Sequence, residues 1–190
     1  MYRATGGVNT HKGCIFSLGI LCAAVGRLEV KERTPENILT LCKAITKGIT
    51  RELHKENAKT VGENLFAQHG ITGVRGQAEA GFPAVLEIGL PTLEKGLEQG
   101  LSLNDAGCGA LLAILACTAD TNLIHRSDLQ QQHSVSAKIT ELLANNTYPS
   151  AQVLQDLDRE FIEKNLSPGG SADLLALTYF LHFLRTDKKP

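Results

Sequence analysis

Four short polar segments carry most of the residues whose chemistry could support catalysis or ligand binding. They are GGVNTHKG near the start of the chain, VRGQAEAGFP, LND followed by TADTN, and SPGGSAD. Each segment adjoins a strongly apolar helical stretch, so a helical bundle could bring all four to one end and gather their polar groups around one cleft. We therefore predict a single site built from residues that lie far apart in the chain.

The first segment has the composition of an anion-binding loop. Its glycines let backbone N–H groups approach an anion, the helix that follows adds a favourable dipole, and Lys12 adds a full positive charge. The segment predicts phosphate binding by Asn9, Thr10 and Lys12, although it lacks the Walker A pattern. A helix cap in which Asn9 or Thr10 satisfies backbone donors is the alternative. His11 is a candidate proton donor, and a loop hydrogen bond is its alternative role.

Acidic residues beside apolar helices are the candidate metal ligands. Asp105, Asp120 and Asp173 each border such a helix, where a carboxylate can hold Mg²⁺ and through it a polyphosphate. Helix caps and first-turn charges use the same residue type, so that role stays open. Arg75 and Glu79 form a charged pair among glycines and alanines that permit close approach by a ligand, and a surface ion pair is the alternative there.

The elements that must position these residues are all helical. Apolar residues recur at helical spacing, and no stretch alternates as a strand would, so the sequence predicts an all-α, compact multi-helix bundle forming one domain over residues 1–190. GITGVRGQAEAG is expected to be loop-like at first and too rich in glycine for a helix. The predicted helices cover His11 to Val25, Thr34 through Leu53, Thr60 to Gly70, two short pieces between Pro83 and Gly100 divided near Leu90, Ser102 or Asn104 to a stop at Asp120, Ser127 to about Asn145, Ala151 to Leu166, and a last helix after a loop at Ser167–Ser171.

Composition excludes several classes of partner. The 190 residues carry a net charge of -1 with both signs interspersed, so neither nucleic acid nor an acidic membrane surface is an expected partner. The longest apolar run, residues 107–119, is shorter than the ~20 residues that a bilayer requires. Five cysteines without Cys-x-x-Cys spacing are expected to be reduced core thiols of a cytoplasmic protein.

Taken together, the polar segments resemble the triphosphoribosyl-dephospho-CoA synthase family. The matching blocks are GGVNTHKGCIFSLGILCAAVGRL, VRGQAEAGFPAV, LNDAGCGALLAILACTADTN and SPGGSADLLALTYFL, in family order. The resemblance implies an all-α fold and a reaction in which ATP donates its triphosphoribosyl group to the 2′-hydroxyl of 3′-dephospho-CoA and adenine leaves. The product would be the prosthetic-group precursor of citrate lyase or malonate decarboxylase.

This resemblance, combined with the positive charge that develops on a sugar as its base departs, suggests a role for each candidate residue. Glu79 would be the general base and His11 the donor to adenine. Gln77 stands where the family pattern has an acidic residue. Mg²⁺ would be held by the three aspartates, and the triphosphate would be bound by Lys12, Arg75, Gly169, Gly170 and Ser171.

Members of this family usually carry a further helical segment before the Asn-Thr-His-Lys loop. We therefore expect residues 1–190 to correspond to the C-terminal part of the family's catalytic domain. A non-catalytic nucleotide-binding remnant and one half of a split enzyme are the alternatives. An apolar face left exposed by the missing segment would favour self-association or association with a separate N-terminal segment.

Overall fold

The protein is described by a computed structural model over residues 3–6, 11–54 and 58–186. These residues are 77% helical, with ten α-helices and no strand among them, which confirms the all-α prediction. The helices are α1 (Lys12–Arg27), α2 (Pro35–Ile45), α3 (Val61–His69), α4 (Gly73–Ala80), α5 (Leu90–Glu98), α6 (Leu103–Cys117), α7 (Thr121–Arg126), α8 (Leu129–Asn145), α9 (Ala151–Glu163) and α10 (Gly169–Thr186). Val30–Glu32 and Ile49–Leu53 are 3₁₀ turns, and a π-helical turn, Ala84–Gly89, leads directly into α5.

Several helices begin at the caps that the sequence predicts. The Thr34 hydroxyl accepts a hydrogen bond from the Asn37 N–H, and Pro35 occupies the first turn of α2. Thr60 and Glu63 form a reciprocal capping box at α3. Ser102 caps α6. Side-chain oxygens accept from N–H groups that have no partner within the helix, so these local signals locate helix starts well.

Three boundaries differ from the prediction. The helix expected to reach Leu53 ends at Ile45, because Gly48 adopts the left-handed conformation at φ +83° and starts a separate 3₁₀ turn. Asp128, not Ser127, caps α8, and the Ser127 hydroxyl donates to the carbonyl of Leu123 instead. The last loop is shorter than expected, because α10 already begins at Gly169.

Two helices form where none was predicted. The polar residues after α6 start the short helix α7 instead of only ending α6. The glycine-rich segment forms helix α4, and its small residues allow close packing against neighbouring elements. A Cβ on Gly73 would lie 3.0 Å from Thr121 Cγ2, and Ala78 is fully buried. Tertiary contacts here outweigh the low helix propensity of glycine.

Apolar clusters hold together the helices that begin with polar residues. One cluster joins α1, α2, α4, α6, α10 and the π turn, and a second joins α6, α7, α8 and α9. Helix α6 lies against α10 so closely that a Cβ on Gly107 would come within 1.6 Å of the Tyr179 hydroxyl. Cys42 is buried, but Cys22 and Cys117 are exposed, so not all five thiols belong to the core. Over the described ranges, no helix combines the length and apolar character needed to cross a membrane.

Candidate functional site

The first turns of four helices, α1, α4, α7 and α10, lie side by side. A Cβ on Gly13 of α1 would lie 2.3 Å from Asp173 Oδ2 of α10, and one on Gly169 would lie 2.6 Å from Asn122 Nδ2 of α7. The contact between Gly73 and Thr121 joins α4 to α7. We call these four first turns the helix-start cluster. Each of the four polar segments predicted to converge therefore contributes to the cluster, although the third does so through TADTN and not through LND.

Asp120 lies at the centre of the helix-start cluster and is only 2% exposed. Its Oδ1 accepts hydrogen bonds from the N–H groups of Asn122 (3.0 Å), Leu123 (3.2 Å) and Gly170 (3.2 Å). Its Oδ2 accepts from Ser171, from the N–H at 2.7 Å and from the hydroxyl at 2.9 Å. One carboxylate thus caps α7 and also binds the first turn of α10, where the dipoles of both helices favour a negative charge.

The capping by Asp120 changes what its neighbours can do. Gly170 and Ser171, predicted to donate hydrogen bonds to substrate phosphate, donate to Asp120 within the protein. Gly169 packs against Asn122. The N–H groups of Gly170 and Ser171 and the Ser171 hydroxyl are therefore used within the protein, and Gly169 makes a packing contact.

Asp173 is the carboxylate that the cluster leaves partly exposed. Burial, and then the negative charge of Asp120, raise the pKa of Asp173 to about 6, and the positive charge of His11 opposes this rise. An aspartate with this pKa remains ionised at neutral pH and accepts a proton more readily than an ordinary aspartate. It is the described acid best suited to general-base chemistry.

His11 and Lys12 lie at the start of α1 with exposed side chains, beside the Gly13–Asp173 contact. His11 is the residue directly before α1, two positions from Gly13, and its positive charge opposes the rise in the pKa of Asp173. The predicted ligands Asn9 and Thr10 lie outside the described residues. The described part of this segment therefore contributes one imidazole and one ammonium group to the edge of the cluster.

Glu79, the predicted general base, has its carboxylate occupied by hydrogen bonds. Oε1 accepts from the Gly48 N–H at 2.5 Å, and Oε2 accepts from the Thr50 N–H at 3.3 Å and from the Thr50 hydroxyl. The Thr50 hydroxyl, followed by the Gly48 N–H, lowers the pKa of Glu79. Both the occupied lone pairs and the lowered pKa weaken it as a base, so the geometry argues against that assignment.

A family model described as ATP:dephospho-CoA triphosphoribosyl transferase (CitG) matches residues 1–190. The chain belongs to this family. That finding confirms the resemblance noted from the four sequence blocks. No solved structure matches the chain.

The three aspartates predicted to hold Mg²⁺ do not form one metal site in the structure. Asp105 bonds the Ser102 hydroxyl at the start of α6, whereas Asp120 follows the end of that helix, which is about 22 Å long at 1.5 Å per residue. Both oxygens of Asp120 are already engaged by N–H and O–H donors. Across residues 3–6, 11–54 and 58–186, no group of three or more His, Cys, Asp or Glu is arranged to hold a metal ion.

Arg75, the remaining cation predicted to bind the triphosphate of this family's substrate, lies in the first turn of α4. Its Nε is 3.5 Å from Glu52 Oε2 of the 3₁₀ turn, and 29% of its side chain is exposed. The cluster thus presents Lys12 from α1 and Arg75 from α4.

Sequence reasoning placed Thr121 and Asn122 in a converging segment without giving either a role, and it missed Thr50 as the partner of Glu79. A local signal for a helix start at Thr121 and Asn122 did exist, because Asp120 is a residue type that caps helices. The helix that it caps, α7, is short, however, and spans only six residues. No local signal identifies Thr50, since it is 29 residues away from Glu79 in the chain.

Proposed function

We propose that this chain transfers the triphosphoribosyl group of ATP to the 2′-hydroxyl of 3′-dephospho-CoA and releases adenine. Membership of the transferase family supports the substrates. The observation that carries the site assignment is the helix-start cluster, where Asp173 lies against the first turn of α1, the helix that begins directly after His11. The product would serve as the prosthetic-group precursor of citrate lyase or malonate decarboxylase.

In this proposal the triphosphate binds at the starts of α1 and α4. Lys12 and Arg75 neutralise its charge, and the two helix dipoles favour an anion at the same place. Asn9 and Thr10 are proposed as additional ligands. We place no phosphate at the starts of α7 and α10, since Asp120 accepts hydrogen bonds from the N–H groups of Asn122, Leu123, Gly170 and Ser171.

The chemical step is a single displacement at C1 of the ATP ribose. The 2′-hydroxyl of dephospho-CoA forms the new C–O bond as the C–N bond to adenine breaks, and Asp173 takes the hydroxyl proton. His11 donates a proton to the departing adenine. Positive charge develops on the sugar during this step, so the neighbouring carboxylate also stabilises the transition state.

Mg²⁺ enters this proposal only as the ion that accompanies the triphosphate of ATP. Magnesium in proteins is commonly bound through one or two carboxylates together with substrate phosphates. No step is assigned to it, because Asp105 lies at the far end of α6 from Asp120, and the Asp120 oxygens already accept hydrogen bonds from protein donors.

The test is adenine release, measured chromatographically from ATP and 3′-dephospho-CoA. Asp173→Asn is expected to lower kcat by about 10²- to 10⁴-fold, the usual worth of general-base catalysis. Asp158→Asn, on the exposed face of α9, is the matched control and should leave the rate unchanged. Binding of both substrates by the unmodified chain without any adenine release would refute the transferase proposal and select the nucleotide-binding remnant.

A further inference from the structure

The carboxylate of Glu79 is built into the contact between α4 and the 3₁₀ turn Ile49–Leu53. It accepts three hydrogen bonds from the start of that turn, two of them from backbone N–H groups. Gly48, which supplies one of these N–H groups, adopts the left-handed conformation that reverses the chain after α2.

The same turn carries an acid that faces α4. Glu52, two residues after Thr50, lies 3.5 Å from Nε of Arg75. Arg75 and Glu79 are four residues apart on α4, so they lie on the same face of that helix. Two links therefore join one helix face to one turn: Glu79 to the start of the turn, and Arg75 to Glu52.

The two links differ in strength. The Glu79 link is partly buried and has three donors for one carboxylate, whereas Glu52 is 61% exposed and pairs with Arg75 at a longer distance. A partly buried carboxylate with several hydrogen-bond donors, such as Glu79, fixes the position of the groups that donate to it. An exposed ion pair, such as that of Glu52 and Arg75, depends on the surrounding structure to hold its two long side chains together. The position of Glu52 is thus set by the turn that Glu79 holds.

We propose that Glu79 is a positioning residue for phosphate binding: it holds the turn that carries Glu52, and Glu52 orients the guanidinium of Arg75. The inference rests on the proposed function, in which Arg75 meets the triphosphate. Arginine binds phosphate through a planar fork of N–H donors, so its orientation controls how many hydrogen bonds form. Glu79 itself touches neither substrate.

The experiment measures kcat and KM for ATP, together with the Kd of inorganic tripolyphosphate by calorimetry. Glu79→Ala should raise both KM and Kd by about tenfold, the loss expected when a charged hydrogen bond is misplaced, and should change kcat by less than about threefold. Thr50→Val removes one donor to Glu79 and should shift KM and Kd in the same direction by a smaller factor. Glu163→Ala, an exposed acid of α9, is the matched control.

A double-mutant cycle tests whether the two links act in series. If Glu79 works through Glu52, then Glu79→Ala combined with Glu52→Gln should bind tripolyphosphate about as weakly as Glu79→Ala alone. If the two substitutions instead weaken tripolyphosphate binding independently, so that their fold-changes in Kd multiply, the proposal is wrong. A lowered melting temperature with unchanged KM and Kd, which is what a merely structural role produces, would also overturn it.

Two further outcomes separate this inference from the proposed function. A Glu79→Gln variant that loses kcat by 10²-fold or more while Thr50→Val stays normal would overturn the positioning role and restore Glu79 as a general base. An unmodified chain that releases no adenine would contradict the proposed function, but the tripolyphosphate affinities of these variants would still decide the role of Glu79.

Discussion

Asp120 and Ser171 are 51 residues apart in the chain, yet one oxygen of the Asp120 carboxylate accepts both the N–H and the hydroxyl of Ser171. The other oxygen caps α7 and also reaches Gly170. A buried charge is costly unless its oxygens are fully hydrogen-bonded, and here five donors meet that demand. The two polar segments are therefore held together by one acid, which places Asp173, one half-turn further along α10, at the edge of the cluster.

Replacing Asp120 should destabilise the protein strongly. In Asp120→Asn, an amide N–H₂ would face donors that now bond a carboxylate oxygen, leaving buried N–H groups unpaired. We expect a loss of about 2–3 kcal/mol in the free energy of unfolding, equivalent to about 5–10 °C in Tm for a chain of this size. Urea titration and a thermal melt followed by circular dichroism measure both quantities.

Asp128→Asn is the matched control for this substitution. Asp128 caps α8 on the surface by accepting the Gln131 N–H at 2.7 Å, and asparagine is as good a cap as aspartate. Its stability should stay within about 0.5 kcal/mol of the unmodified chain. Equal losses in the two variants would show that the buried hydrogen-bond set of Asp120 contributes nothing beyond an ordinary cap.

Gly13→Ala should impair activity while sparing stability. The new methyl group would overlap the Asp173 carboxylate, and because a carboxylate is the mobile end of a side chain, it can turn away instead of forcing the helices apart. Adenine release should fall by about tenfold or more, since misplacing a catalytic group by about 1 Å costs up to 10²-fold. Gly19→Ala lies on the same helix, and its added Cβ would have no neighbouring atom within 4 Å, so adenine release should be unchanged. A normal rate in Gly13→Ala would remove Asp173 from the catalytic step.

Much of the fold could be predicted from the sequence because helix starts are local events. Caps at Thr34, Thr60 and Ser102 require only neighbouring residues, and the apolar spacing that follows them gives the buried face. The helical state of α4 could not be predicted in this way. Its glycines look like loop residues until Gly73 is seen to pack against Thr121, a contact across 48 positions.

The sequence predicts which segments form the candidate site, but not which role each residue has in it. The polar segments identify where helices start, and four of those starts, of α1, α4, α7 and α10, converge. Residue types alone could not tell a carboxylate that binds protein donors from one that faces a ligand. Asp120 and Glu79 bind protein donors, whereas Asp173 is left partly exposed, and the difference depends on partners such as Ser171 and Thr50 that lie tens of residues away.

The raised pKa of Asp173 predicts a trade between stability and activity. An aspartate whose folded-state pKa lies above its unfolded value of 3.8 destabilises the folded state at neutral pH, because the unfolded chain ionises more easily. The contribution of Asp173 to the free energy of unfolding should therefore become more favourable as pH falls from above 6 toward 4. Asp173→Asn should be more stable at pH 7.5 by about 1–2 kcal/mol, after allowance for the solvent that reaches this partly exposed side chain.

Activity should depend on the same ionisation in the opposite direction. A general base must be unprotonated, so kcat/KM for adenine release should fall below a pH of about 6. Urea titrations of the unmodified chain and Asp173→Asn at pH 5 and 7.5, with a pH–rate profile beside them, measure both effects. A flat rate profile from pH 5 to 8 would contradict the base role, and a destabilised Asp173→Asn at pH 7.5 would contradict the raised pKa.

The lowered pKa of Glu79 predicts a loss of stability in acid. A glutamate whose folded-state pKa lies below its ordinary value of 4.5 stabilises the folded state fully above that value, and the contribution disappears as pH falls through the lowered value. Since the Thr50 hydroxyl is the main cause of the shift, Thr50→Val should make the unfolding free energy less dependent on pH between about 5 and 3. Thr140→Val is the matched control, because its hydroxyl donates only to the carbonyl of Ser136 on the exposed face of α8. Parallel pH dependences in the two valine variants would mean that the Thr50 hydroxyl does not hold Glu79 in its ionised form.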